Sequence, residues 1–158
     1  MQSRKAVSPV ISTVILVAVA ITVAVAVAYW MGGIAGQYTK FEKVEIQSGV
    51  CLKEGSPGVE YWNVTLKLKN SGTATSTLIG CFINEIEVDG YNYTATVGDD
   101  GKAQTTMTDA FTIESGVSEY ISIIIDYDNY RKLTSGTTVN VKIHSAGGMD
   151  YIKLIELV

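Results

Sequence analysis

The one histidine of this 158-residue chain, His144, closes an alternating run, Val139-Asn140-Val141-Lys142-Ile143-His144. A Ser-His-Asp relay needs its histidine paired with a nucleophile and a carboxylate, and a His-rich metal site needs further imidazoles. His144 therefore reads as a structural or surface residue. Asp99-Asp100 precedes Gly101 and reads as a turn. Asp126-Tyr127-Asp128-Asn129 offers oxygens but lacks the spaced ligands and terminal glutamate of a calcium loop. No Gly-x-Gly-x-x-Gly opens a helix, and there is no phosphate loop or nucleophile elbow. The expectation is a non-enzyme, with no catalytic residue, no metal and no cofactor.

Covalent chemistry has more candidates. Cys51 and Cys81 are the only cysteines. If the chain carries them outside the cell, a disulfide between them is expected, worth ~3 kcal/mol in the chain-entropy model. Two unpaired buried thiols are the alternative. Asn63-Val64-Thr65 and Asn92-Tyr93-Thr94 are glycosylation sequons, so Asn63 and Asn92 are candidate glycan carriers.

The elements that must position these groups fall into two classes. Between Lys5 and Lys40 there is no charged residue, whereas charge recurs throughout the rest. The net charge of −4, with no basic patch interleaved with aromatics, argues against nucleic acid. The uncharged segment is too long for a strand, despite its Val-Ala alternation. In lipid, or against similar helices, the backbone must satisfy itself internally, which predicts a helix over Val7–Tyr38. At 1.5 Å per residue it would span roughly 45 Å, more than the ~30 Å hydrocarbon core of a bilayer. Ser8 before Pro9 suits its start.

Ala20, Ala24, Ala28, Gly32 and Gly36 follow one another at intervals of four, a ridge of small residues where a neighbouring backbone can approach closely. An alanine-rich segment also produces that spacing by chance. Ile11, Ile15, Val19, Val23 and Val27 form a parallel ridge of larger residues. Three readings of the segment stand. It is a permanent anchor with Arg4-Lys5 held inside, a secretory signal cut after Ala26-Val27-Ala28, or a helix retained after removal of a short basic leader.

The run Arg4-Lys5-Ala6-Val7-Ser8-Pro9-Val10-Ile11 resembles the N-terminus of archaeal type IV pilins, over about the first 40 residues. The resemblance implies cleavage between Ala6 and Val7 by a prepilin peptidase. It also implies assembly of the helices into a homopolymer by a secretion ATPase and a platform protein, from a membrane-inserted state. The fifth residue after that cleavage point is Ile11, where bacterial type IV pilins carry glutamate. The expected product is an extracellular filament, for adhesion in preference to swimming. A monomeric membrane-anchored binding module is the alternative.

Beyond residue 38 the period changes to two. Strands are expected at 41–47, 64–69, 78–88, 91–97, 104–113, 119–127, 139–144 and 151–157, separated by turn signals such as Asn70-Ser71-Gly72, Asp89-Gly90, Ser115-Gly116 and Gly147-Gly148. The expected class is α+β: a long N-terminal hydrophobic helix followed by an antiparallel, immunoglobulin-like β-sandwich. The expected divisions are a leader at 1–6, the helix at 7–38 and an outer domain at 39–158.

Overall fold

The computed structural model describes residues 7–94, 102–127, 130–131 and 133–158. The leader with Ala6, the Asp99-Asp100-Gly101 turn, and Asp128 and Asn129 lie outside the described residues. The protein is α+β, one long helix followed by two antiparallel sheets. By contacts it divides into Met1–Lys40 and Phe41–Val158.

Helix α1 runs Val7–Tyr38. Two of its hydroxyls are satisfied within the helix. The hydroxyl of Thr13 donates to the carbonyl of Val10 at 2.8 Å, and that of Thr22 donates to Ala18 at 2.8 Å. Such back-bonding lets threonine sit in an apolar helix without an orphaned group.

The second unit contains β1 (Val44–Ser56), β2 (Val59–Asn70), β3 (Ser76–Ile83), β4 (Ile86–Glu87), β5 (Ala103–Thr105), β6 (Phe111–Ile113), β7 (Ser118–Asp126), β8 (Thr138–Ser145) and β9 (Asp150–Glu156). One sheet, here sheet A, has the order β1-β2-β7-β5; sheet B has β4-β3-β8-β9, with β6 also on β3. Alternation decides which face is buried. Trp62, Val64, Leu66 and Leu68 of β2 lie in register with Ile125, Ile123, Ile121 and Glu119 of β7. Those apolar residues share one core with Leu78, Cys81 and Ile83 of β3 and Val139, Val141 and Ile143 of β8.

Several expected strands are cut differently, each for a local reason. The run 78–88 breaks into β3 and β4 at Asn84-Glu85, whose φ angles are +50° and +67°. Ile83 pairs with Ile86, so these two residues form a tight hairpin with both central φ positive. Asn84 accepts that backbone readily, and its Oδ1 also accepts from the Asn140 amide at 2.9 Å. The run 104–113 splits between the sheets as β5 and β6. Residues 91–94 are not strand, and 95–97 lie outside the described residues. The first strand is longer than 41–47: it continues through a bulge between Ile46 and Ser48 and pairs with β2 as far as Ser56 and Val59. The bulge shifts the alternation by one residue, which hides the strand from a period-two reading. Pro57-Gly58 closes that hairpin, with Gly58 at φ +90°.

The stretch after the helix is tied into the sandwich at once. Phe41 donates its amide to the hydroxyl of Thr73 at 3.1 Å. Its carbonyl accepts from Thr73 and Ala74, and that of Lys43 accepts from Ser71 and Gly72. A Cβ on Gly72 would lie 2.5 Å from the Phe41 carbonyl oxygen and 2.6 Å from the Lys43 nitrogen, so only glycine lets these segments approach.

Candidate functional site

Three groups of residues are candidates for function: the helix surface, the thiols, and the polar outer face of sheet A. The stretch Pro9–Tyr38 is long and apolar enough to cross a membrane. In the isolated chain its side chains are exposed almost throughout. Ala20, Ala24, Ala28, Gly32 and Gly36 all lie on it, as do Ile11, Ile15, Val19, Val23 and Val27. Val7 is its first residue.

A Cβ added to Gly32, Gly33 or Gly36 meets nothing within 4 Å. Glycine inside a helix costs about 1 kcal/mol relative to alanine. Among the described residues of the helix no packing contact at these glycines offsets that cost. Gly33 floors a surface depression of about 260 Å³ walled by Tyr29, Trp30, Ile34 and Gln37.

Cys51 and Cys81 are free and buried, which corrects the expected disulfide. They occupy different sheets and different surroundings. Cys51 on β1 lies opposite Val64 and beside the backbone of Val158. Cys81 on β3 lies opposite Ile143, near Glu87, and its amide donates to the Tyr91 hydroxyl at 3.0 Å. Burial pushes the Cys81 thiol up to about 12 and raises that of Cys51. The thiolate is the reactive form. Both thiols are therefore expected to resist maleimide at pH 7 until the protein is unfolded, and then to react together. Rapid labelling of native Cys81 would contradict its burial.

The other singled-out groups are structural in their surroundings. His144 Nδ1 lies 2.5 Å from Asp150 Oδ1 across the β8–β9 pair, both partly exposed. Asp126 ends β7, and its amide donates to the Lys102 carbonyl at 3.1 Å. Tyr127 packs on Trp62 with ring centroids 4.7 Å apart and lies under the Lys53 ammonium at 3.5 Å. Among the described residues no group of three or more His, Cys, Asp or Glu is placed to hold a metal ion.

Geometry separates the two sequons. Asn92 is exposed in a loop, with φ +53°, and its backbone amide donates to Met107 at 2.7 Å, leaving the side chain outward. Asn63 is half-buried in the middle of β2, between Leu52 and Ile124, and its Nδ2 donates to Glu54 at 3.2 Å. Glu54 also accepts from the Tyr61 hydroxyl at 3.2 Å. This Glu54–Tyr61–Asn63 cluster was not singled out from sequence, although Tyr61 and Asn63 occupy alternate positions of one strand. The missing signal was β1, whose bulge obscured that Glu54 faces the same way.

No family model and no curated protein sequence matches the chain. Among solved structures, the archaellum periplasmic stator protein FlaG from Sulfolobus acidocaldarius is similar with a TM-score of 0.42 and 16% identity. That match covers 73% of this chain and 100% of FlaG. Likeness of that degree is partial and carries no functional argument.

Proposed function

We propose that this chain is the subunit of a surface filament of the archaeal type IV pilus class, with its helices packed in the filament core and its sandwich outward. The observation that carries the reading is a helix of 32 residues with no charge and nearly every side chain exposed. Such a surface persists only in lipid or against other apolar helices. Left in water on leaving the membrane, ~1,000 Å² of it per subunit would cost on the order of 25 kcal/mol, a cost that packing against neighbouring helices avoids, before ordering costs. The ridge of small residues, and glycines with open space around them, favour close approach of a second helix. The residues Arg4 to Ile11 add the pilin-like start, with removal of the leader between Ala6 and Val7.

The remaining roles follow from that reading: membrane insertion before assembly, a prepilin peptidase, a secretion ATPase and a platform protein as partners, and adhesion as the task. Catalysis has no part in it. Electron micrographs of sheared surface material should show thin filaments that bind an antibody to the β unit and yield Val7 as the N-terminal residue. A chain found only as membrane monomer, or one beginning at Tyr29, would overturn the proposal.

We further expect glycan on Asn92 and none on Asn63, whose amide nitrogen is engaged within the sheet. Glycopeptide mass spectrometry of surface material decides this, and an occupied Asn63 would contradict the described geometry.

A further inference from the structure

The outer face of sheet A holds a depression of about 210 Å³, lined by Glu54, Tyr61, Asn63, Tyr93, Thr106 and Ser122, among others. At ~30 Å³ per water it has room for about seven waters, enough for one sugar ring. We propose that it binds a neutral, hydroxyl-rich pyranose.

The hydrogen-bond inventory specifies that chemistry. One oxygen of Glu54 already accepts from Tyr61 and Asn63, and the carboxylate has further lone pairs to offer. Asn63 Oδ1 is buried without a partner, so a small turn of the Asn63 side chain toward the depression would let it accept from a bound donor. Thr106 accepts from the Ser122 amide at 2.9 Å, and the Ser122 hydroxyl lies 3.4 Å from that of Thr65. The floor is therefore rich in acceptors and in hydroxyls able to play either part. A ligand must bring several donors and no negative charge, since an anion would meet Glu54. Adjacent hydroxyls of a sugar fit a carboxylate, which binds paired donors well. Tyr93 and Ile124 supply apolar surface for the C–H face of the ring.

This inference does not rest on filament assembly, and its failure would leave that reading untouched. The sugar has two possible sources, the surface of another cell or a glycan carried on Asn92, next in sequence to Tyr93.

The test uses the full chain in a detergent without sugar headgroups, with methyl hexosides and glucuronic acid as probes in saturation-transfer NMR. A neutral hexoside should bind with a Kd of about 1 mM. Glu54→Gln, which keeps the acceptor oxygen but not the charge, should weaken it ~10-fold, and glucuronic acid should bind more weakly still. Binding to the native and Asn92→Gln chains alike assigns the pocket to an external sugar. Binding only after Asn92→Gln assigns it to the chain's own glycan. Absence of binding in both chains, or equal binding by a Glu54→Gln protein whose thiols remain protected, overturns the proposal.

Discussion

Replacing Ala24 with arginine is expected to abolish surface filaments while leaving a folded β unit attached to the membrane. Ala24 is exposed near the middle of a helix that has no charge between Lys5 and Lys40. A single arginine at such a position costs ~3 kcal/mol for membrane insertion, which the rest of the apolar segment outweighs. Assembly is affected far more severely. Every subunit would bring the same cation into a core of like helices, so each charge is buried without a partner and repels its neighbours. Filament yield, counted by electron microscopy, should fall at least ~100-fold, while the membrane fraction retains the chain. The milder Ala24→Leu, which keeps hydropathy but fills the ridge, should lower filament number without affecting insertion. Wild-type filaments from the arginine variant would place Ala24 outside the packed core.

The second large effect is expected at Asn70, in the β unit. Asn70 is fully buried at the end of β2. Its Nδ2 donates to the carbonyls of Ala74 at 2.8 Å and Ile113 at 2.9 Å, and its Oδ1 accepts from the Gly72 amide at 2.9 Å. Its backbone meanwhile bonds Val117 and Gly116. One side chain thus joins the crossover from sheet A to sheet B with the end of β6. Asn70→Ala takes the donor from the Ala74 and Ile113 carbonyls where water does not replace it well, and leaves the Gly72 amide only its longer bond to the Lys43 carbonyl, 3.2 Å. Each such loss costs ~1–3 kcal/mol, so about 4 kcal/mol in total is expected. For a unit of this size the midpoint should fall by roughly 10–20 °C, read by thermal circular dichroism of the full chain. Unchanged melting would mean that water or a shifted loop satisfies those groups.

The sequence was most legible where one physical requirement dominates. Absence of charge from Lys5 to Lys40 predicts the helix, because no other spanning structure satisfies its own backbone. The alternation Val64-Thr65-Leu66-Lys67-Leu68-Lys69 predicts half of β2 and its buried face. Legibility failed where backbone irregularity overrode side-chain pattern. The bulge near Gln47 masked β1, and left-handed conformations at Asn84 and Glu85 made a hairpin where the chain read as one continuous strand. The cysteines misled for a different reason. Two cysteines admit a single pairing on paper, yet spacing in the chain does not reveal that one faces Val64 and the other Ile143. The pocket on sheet A escaped because its residues come from separated segments, and one of the strands was not foreseen.

The helix surface is therefore both the best-predicted element and the one on which the functional proposal depends. Cysteine placed singly at Ala20, Ala24 or Ala28 tests it directly, since native Cys51 and Cys81 are buried in the β unit and the helix carries no thiol of its own. With a short bifunctional maleimide applied to sheared surface filaments, helix packing predicts covalent dimers joined through these positions. Recovery of the chain solely as uncrosslinked monomer, at all three positions and only in membranes, would contradict it.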